Sequence, residues 1–243
     1  MFTPTGLADG QHTVVASETD AAGNTGTASL SFTLDTHAPA VTEALKNDTG
    51  TLSNDHLTRD PTLTGSGDPN AVVHFTLDGS LIAATATADN SGAWTFTPTN
   101  QVDGNHTVVA SETDAAGNTS TASQAFVLDT TPPVVSVSVR PSVLYPPNHQ
   151  LVEITANVTA TDDRDPHPTI SLASITSNQG DDWRGDGHTA PDIVVDNGKI
   201  FLRAERAGGS ADRVYTITFA ARDAAGNEAT ASGTVTVPHD QRK

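Results

Sequence analysis

Apolar and polar residues alternate along much of the chain with a period of two. Alternate residues from Val152 to Ala160 are apolar, and the residues between them are polar. The same alternation runs from Tyr215 to Ala221. Such a period predicts strands with one buried face, and no segment has a convincing helical period. The pattern therefore predicts an all-β protein.

The middle of the chain divides into seven short strand-like runs with turn residues between them. Asp78-Gly79 separates two of these runs and is a strong two-residue hairpin signal, whereas Leu45–Arg59 is polar and predicts a loop. Seven short strands favour an antiparallel, seven-stranded sandwich of the immunoglobulin type. The predicted strands are Pro39–Lys46, Pro61–Gly65, Val72–Leu77, Leu81–Thr87, Ala93–Pro98, His106–Thr113 and Thr121–Leu128.

Part of the sequence, including some of these strand-like runs, is repeated along the chain. The stretch TDAAGNT occurs at Thr19–Thr25 and at Thr113–Thr119, and the related RDAAGNE occurs at Arg222–Glu228. A shift of 94 residues brings Asp20 onto Asp114, and His12–Thr25 is then identical to the later run. Repetition with flanking sequence is typical of tandem modules.

Proline-containing junctions separate the units. DTHAP begins at Asp35 and DTTPP at Asp129, and proline both ends a strand and stiffens a linker. The predicted domains are residues 1–36, the truncated C-terminal strands of one repeat, then residues 37–130 and residues 131–243. We expect these tandem sandwiches to form a rod, and Met1 to be a fragment start because no signal peptide is visible.

The net charge of the chain limits the kinds of molecule that it can bind. The 243 residues include 29 acidic and 12 basic ones, for a formal net charge of −17. That balance argues against nucleic acid, which needs a basic surface. No apolar run reaches the ~20 residues of a membrane span. There is no cysteine, so a metal rather than a disulfide is the available cross-link.

Two sets of short motifs mark the units of the chain. The first set is NDTG (47–50), DPNAVV (68–73), SGAWTFTP (91–98), DGNHTV (103–108), TDAAGNTSTAS (113–123) and LDTTPP (128–133); the second is YPPNHQLV (145–152), TDDRDPHP (161–168), GDGHTAPDI (185–193) and VYTITFAARDAAGN (214–227). With the first set, residues 2–133 resemble the bacterial immunoglobulin-like repeats of large surface adhesins, including the biofilm-associated type. With the second set, the third unit resembles a distinct immunoglobulin-like module found at the C-terminal end of bacterial secreted proteins. The resemblance implies calcium-stiffened extracellular modules on a bacterial surface or secreted protein.

The acidic turns are candidate metal ligands. In immunoglobulin topology the turn between the last two strands lies at the end where the linker enters, so linker and turn aspartates should meet there. Ca²⁺ takes 6–8 oxygen ligands in flexible geometry, whereas Mg²⁺ prefers tight octahedral sites, and the scattered histidines give little for zinc. The predicted ligands are Asp35, Asp68, Asp114, Asn118, Asp129, Asp162, Asp163, Asp223 and Asn227. The alternative is that these residues are ordinary turn formers.

The sequence predicts no enzyme, because no nucleophile–base pair, phosphate loop or zinc motif is present. The first functional hypothesis is an adhesion rod that meets a host or abiotic surface, a glycan or a protein ligand, and neighbouring repeats. The second is an accessory module of a secreted hydrolase, which either binds carbohydrate through Trp183 and Tyr145 or acts as a spacer that positions a catalytic domain. The acidic loop Asn178–Asp192 contains an Arg-Gly-Asp tripeptide, which is a very weak signal on its own.

Overall fold

The computed structural model describes residues 3–181, 187, 189–209 and 211–239. These residues form strands and turns and contain no α-helix, hence none with the length and apolar character that a membrane crossing requires. The strands are β1 (Gly10–Thr19), β2 (Thr25–Leu34), β3 (Thr42–Leu45), β4 (Leu57–Thr58), β5 (Leu63–Ser66), β6 (Val72–Leu77), β7 (Ser80–Thr87), β8 (Ala93–Phe96), β9 (Gly104–Thr113), β10 (Thr119–Leu128), β11 (Val134–Arg140), β12 (Leu151–Thr161), β13 (Thr169–Ser177), β14 (Ile193–Asp196), β15 (Lys199–Arg203), β16 (Arg213–Arg222) and β17 (Glu228–Val237).

The chain divides into two compact units. The N-terminal unit comprises Met1–Asn47 and Pro61–Val127, and the C-terminal unit comprises Asp48–Asp60 and Leu128–Lys243. The polar segment 48–60 therefore belongs with the last module, although it lies within the second repeat in sequence.

The N-terminal unit contains a hairpin and a sandwich. β1 and β2 form a two-stranded antiparallel sheet, with Gly10 paired to Leu34 and Thr19 to Thr25. In the sandwich, one sheet has the order β3-β5-β8, and the other includes β10, β9, β6 and β7 in that order. Phe75 of β6 stacks on Phe96 of β8 at 3.9 Å between ring centroids, so the two sheets pack through their inner faces.

The C-terminal unit is a second sandwich. Its sheets have the orders β11-β12-β15-β14 and β13-β16-β17. The alternation predicted along 152–160 is present, since every second side chain of β12 turns inward. The core consists of Val139, Leu144, Ile154, Ile200, Leu202, Ala204, Tyr215, Ile217, Val235 and Val237. The predicted all-β, immunoglobulin-like sandwich fold is confirmed.

The hairpin turn predicted at Asp78-Gly79 is present, whereas some strand ends differ from the prediction. Asp78 and Gly79 have φ of 50° and 79°, and Asn197 and Gly198 have 48° and 78°. Two successive positive φ values are what a tight hairpin turn requires. The predicted loop Leu45–Arg59 contains the two-residue β4, and the strand predicted at Pro39 begins only at Thr42. Proline has no N–H to give to a sheet, so pairing starts beyond Pro39.

The core of the C-terminal unit contains a buried ionic network. Arg213 and Glu205 are fully buried, and Asp192 is only 3% exposed. Arg213 Nη1 donates to Asp192 Oδ2 and to the Tyr215 hydroxyl at 3.0 Å, and it lies 3.9 Å from Glu205 Oε1. Burial, with a hydrogen bond to Glu205, raises the pKa of Asp192 to about 7. At the edge of this network, His149 Nδ1 lies 3.0 Å from Glu205 Oε2, and Arg203 Nε lies 3.6 Å from Asp192 Oδ1.

The N-terminal sandwich also encloses a carboxyl group. Glu43 of β3 receives a hydrogen bond from Ala110 N at 3.3 Å through Oε2. Its Oε1 is buried and has no hydrogen-bond partner among the described residues. Burial raises the pKa of Glu43 to about 7, because the hydrogen bonds it accepts do not offset the lost hydration.

Candidate metal centre

The repeated turn is closed by its own aspartate and asparagine. Asp114 Oδ1 accepts hydrogen bonds from Ala116 N at 2.8 Å and Asn118 N at 2.9 Å, and Oδ2 accepts one from Asn118 Nδ2 at 2.8 Å. Hydrogen bonding from Asn118 holds the pKa of Asp114 below its usual value. Asp20 and Asn24 make the same contacts in the hairpin. The turn-forming role proposed as the alternative to metal binding is therefore present in each repeat.

The asparagine has a second contact that the sequence did not reveal. Asn118 Nδ2 donates to the main-chain oxygen of Asp35 at 3.1 Å, and Asn227 Nδ2 donates to that of Asp129 at 2.9 Å. In both units the side-chain amide thus ties the entering linker to the last turn. This contact brings the linker aspartate to the turn, as the topology predicted.

In the C-terminal unit three aspartates converge. One carboxylate oxygen each from Asp129, Asp162 and Asp223 lies within 4.8 Å of the others. Asp129 is 1% exposed and Asp223 is 2% exposed, so two of the three have almost no contact with solvent. At about 4 Å, like charges near a protein surface repel by roughly 4 kcal/mol per pair. We call this group the aspartate cluster.

One buried carboxylate oxygen of the aspartate cluster accepts no hydrogen bond from the described residues. Asp162 Oδ1 accepts hydrogen bonds from Arg164 N at 2.9 Å and Asp165 N at 2.8 Å, which fixes the side chain. Its Oδ2 is buried without a hydrogen-bond partner among the described residues. Buried polar atoms are nearly always satisfied in native proteins. A hard cation bound by oxygen ligands would satisfy this atom and neutralise the cluster.

Segment 48–60 holds the turn of the aspartate cluster in place. Thr51 N donates to Ala224 O at 3.0 Å, and Thr49 Oγ1 donates to Ala225 O at 2.7 Å. Thr58 O accepts from Asp129 N at 2.9 Å. Gly226, with φ of 95°, is required here, because a Cβ would lie 2.7 Å from Thr49 O. The sequence predicted a polar loop at Leu45–Arg59 but did not reveal these anchoring contacts.

The remaining predicted ligands are less closely grouped. Asp163 is exposed and lies outside the aspartate cluster, and Asp68 is exposed in the N-terminal unit. Asp35 forms a second, exposed group with Asp9 and His37, two residues that the sequence analysis did not single out. Calcium binding stays a prediction for all the residues named as ligands, which are Asp35, Asp68, Asp114, Asn118, Asp129, Asp162, Asp163, Asp223 and Asn227.

Glu112 is a buried acid whose carboxylate accepts hydrogen bonds from the main chain. It is 1% exposed and accepts hydrogen bonds from Asp68 N at 3.1 and 3.2 Å. Burial raises its pKa. Glu112 thus fixes the turn after β5, and a Cβ at position 67 would approach its Oε2 to 2.0 Å and displace the carboxylate from Asp68 N.

Some residues named in the sequence analysis lie outside the described part of the chain. They are Trp183 and the tripeptide 184–186. Tyr145, the other aromatic residue of the carbohydrate hypothesis, is 45% exposed.

Comparisons with known proteins identify related domains. Residues 1–36 and 37–130 match the family "Bacterial Ig-like domain", and residues 90–180 match "Bacterial Ig-like domain (group 3)". No curated protein matches the chain.

Solved structures with similarity include a tetra-tandem repeat from the extending region of a large adhesion protein. It is 24% identical, covering 96% of this chain and 58% of that one, with a TM-score of 0.35. A Ca²⁺-stabilized adhesin that helps an Antarctic bacterium bind ice is 23% identical, covering 94% and 56%, with a TM-score of 0.42. Fibronectin(III)-like modules of Clostridium thermocellum CbhA are 15% identical, covering 83% and 98%, with a TM-score of 0.39. The chain thus spans a little over half the length of the two adhesin structures.

Proposed function

Because this chain belongs to the family of bacterial Ig-like domains, we propose that it is an extracellular structural module of an adhesin-type surface protein, stiffened by calcium. Its role is to space or display a binding function rather than to catalyse a reaction. Residues 1–36, 37–130 and 131–243 are the successive domains of this proposal. The observation that carries the calcium proposal is the aspartate cluster.

The chemistry of the aspartate cluster favours calcium. Its donors are carboxylate oxygens, which are among the ligands that Ca²⁺ prefers. Mg²⁺ demands near-ideal octahedral geometry, which three separate loops are poorly suited to supply. Extracellular calcium modules bind with Kd on the order of 10⁻⁴–10⁻³ M, so such a site would be filled outside the cell.

The position of Asp129 explains how a bound calcium ion would limit movement between consecutive domains. Asp129 directly follows β10 and opens the linker DTTPP. Prolines limit the conformations of a linker but do not fix the direction in which it leaves. An ion that binds the Asp129 carboxylate together with Asp162 and Asp223 would fix that direction. Calcium should therefore reduce the freedom between consecutive domains.

Small-angle scattering of the full chain tests this proposal. The distance distribution of the wild type should become longer and narrower when Ca²⁺ is added, because the hinge at Asp129 is removed. Asp129→Ala should fold, because its main-chain N–H can still donate to Thr58 O, but its distribution should not respond to Ca²⁺. If the variant responds as the wild type does, Asp129 is a strand-ending turn residue and calcium does not act through it.

A further inference from the structure

One side of the C-terminal sandwich is open. At the other side β11 contacts β17, so β13 and β14, the opposite end strands of the two sheets, lie on the open side. β13 pairs with β16 and has no second partner strand among the described residues. An unpaired strand edge presents main-chain N–H and C=O groups on which another chain can pair.

Apolar side chains are exposed along this open side although they belong to the inner faces of the two sheets. Ile170 and Leu172 of β13 are 40% and 36% exposed, and Val195 of β14 is 51% exposed. Val195 pairs with Ile200, a core residue, so it projects from the inner face of its sheet. Inner faces of a sandwich normally cover each other. These three residues, which we call the open seam, lack that cover among the described residues.

The sequence of β13 lacks the side chains that usually keep an edge strand from pairing with other chains. Natural edge strands carry charged residues, especially lysine, or a proline within the strand. β13 has the sequence TISLASITS and contains neither, in a chain with 29 acidic and 12 basic residues. The protective feature that β13 does have is a bulge at Ala173, where its register with β16 shifts.

The sequence of β13 is nearly the same in both directions. Residues 169–172 are T-I-S-L, and residues 173–176, taken in reverse order, are T-I-S-A. Two antiparallel strands run in opposite directions, so two copies of β13 can pair about a twofold axis at the middle of the strand. Thr169 of one copy then lies opposite Thr176 of the second copy. The other pairs also join residues of one type, except at the centre of the strand.

The bulge brings the two halves of β13 onto matching faces. Ile170 and Ile175 are separated by an odd number of residues, which in a regular strand would place them on opposite faces. Because Ala173 has no partner in the ladder, Ile170 pairs with Ala221 and Ile175 with Ile217. Both partners on β16 are fully buried, so both isoleucines lie on the inner face. In a pair of copies, Ile170 would lie beside Ile175 of the second copy, at the open seam.

We propose that β13 is a self-association surface, through which two copies of this chain join by antiparallel pairing of their β13 strands. A second copy is the occupant because it supplies a strand of the same length, the same bulge and the reversed sequence. Isoleucine pairs with isoleucine and threonine with threonine, and such cross-strand pairs stabilise a sheet. No charged residue of β13 enters the interface of a chain with a net charge of −17. The contact is isologous, so it closes after two copies and leaves neither β13 edge free.

The register is tested by disulfide formation in the full chain, which has no cysteine of its own. Thr169→Cys and Thr176→Cys change exposed residues and, when mixed under oxidising conditions, should form a linked dimer because these positions lie opposite each other. Within one strand they pair with Arg222 and Thr216, about 20 Å apart at ~3.4 Å per residue, so like cysteines of two copies cannot meet. Either variant alone should therefore give about a tenth or less of the mixed yield.

Thr234→Cys is the control for chance collision, since Thr234 is exposed on the same face of the same sheet but on β17. All mixtures are compared at about 100 µM chain, because one strand pair is a small interface and should be weak. The mixture of Thr169→Cys with Thr176→Cys should exceed that of Thr169→Cys with Thr234→Cys. Equal yields in these two mixtures, or equal yields from the single variants and the mixture, would overturn the proposal.

Hydrogen exchange tests the same contact without a covalent bond. Exchange of residues 169–177 should slow about fivefold or more between about 1 and 100 µM chain, since β13 gains a paired edge. Leu172→Lys adds a charge to the open seam and should abolish this slowing. Thr230→Lys adds the same charge at an exposed position of β17 and should leave it intact. Exchange that does not depend on concentration in the wild type, or that depends on it equally in both variants, would contradict pairing through β13.

Discussion

Replacing Arg213 with methionine should destabilise the C-terminal unit by about 3–5 kcal/mol at pH 8, because it removes the fully buried cation beside two buried carboxyl groups. Arg213 Nη1 donates to Asp192 and lies 3.9 Å from Glu205, whereas Arg203 Nε lies 3.6 Å from the other oxygen of Asp192 and is partly exposed. Methionine retains much of the side-chain volume, so the loss reports charge rather than a cavity. Urea unfolding, followed by hydrogen exchange in β15–β17, measures the loss of stability of the C-terminal unit separately from that of the N-terminal unit.

The pH dependence of that loss identifies its cause. Burial raises the folded-state pKa of Asp192 to about 7, so the folded protein binds the proton more tightly than the unfolded chain. This contribution to stability is present at low pH and is lost as the pH rises through about 7. The Arg213→Met variant should therefore recover stability on acidification more strongly than the wild type. A loss below about 1 kcal/mol at pH 8 would mean that Arg213 does not neutralise the core.

The second large effect concerns Glu43 in the N-terminal unit. Because burial raises its folded-state pKa to about 7 from an ordinary 4.5, the wild type should lose stability as the pH rises from 5 to 8. Glu43→Gln keeps the acceptor for Ala110 N and removes the charge. Its free energy of unfolding should exceed that of the wild type by on the order of 2 kcal/mol at pH 8, after allowance for partial solvation.

Urea unfolding monitored by Trp94 fluorescence gives this comparison, since Trp94 lies in the same core and is 2% exposed. At pH 5 the two proteins should unfold alike. Glu112, whose pKa is also raised by burial, is present in both proteins, so the difference isolates Glu43. A Gln variant that is less stable than the wild type at pH 8 would contradict this account of the carboxyl group.

Local patterns explain how much of the fold could be predicted. β6 was predicted at its observed bounds because a period of two and the Asp78-Gly79 turn fix both ends of the strand. The repeated turn was recognisable as a turn because its aspartate bonds residues two and four positions later, which lie within the motif itself.

Contacts between distant segments could not be predicted in the same way. Segment 48–60 reads as a polar loop, and its bonds to Ala224 and Ala225 depend on residues far along the chain. No pattern in the sequence marks Arg213, Asp192 and Glu205 as buried partners, because charged residues are almost never fully buried unless paired. Asp129, Asp162 and Asp223 were predicted as ligands of one site because immunoglobulin topology brings the linker and the loops to the same end of the sandwich. Nothing in the sequence indicates that Asp162 belongs to the cluster and that its neighbour Asp163 does not.

The difference between Asp162 and Asp163 provides the most direct test of calcium binding. Asp162→Asn and Asp163→Asn remove the same charge from adjacent residues, but only Asp162 belongs to the aspartate cluster. Asparagine at position 162 can still accept the hydrogen bonds from Arg164 N and Asp165 N, so the loop should fold. Without calcium this variant should be at least as stable as the wild type, since one repulsive charge is gone.

The decisive measurement is calorimetric melting of the C-terminal unit of wild type, Asp162→Asn and Asp163→Asn in 10 mM Ca²⁺, Mg²⁺ or matched NaCl. For a Kd on the order of 10⁻⁴ M, Ca²⁺ at about 100 times Kd should stabilise the wild type by about 2.7 kcal/mol. Asp163→Asn should gain as much, Asp162→Asn should lose most of the gain, and Mg²⁺ should do little. An equal rise in melting temperature in all three proteins, or with all three salts, would mean that screening of the −17 charge and not a calcium site stabilises the module.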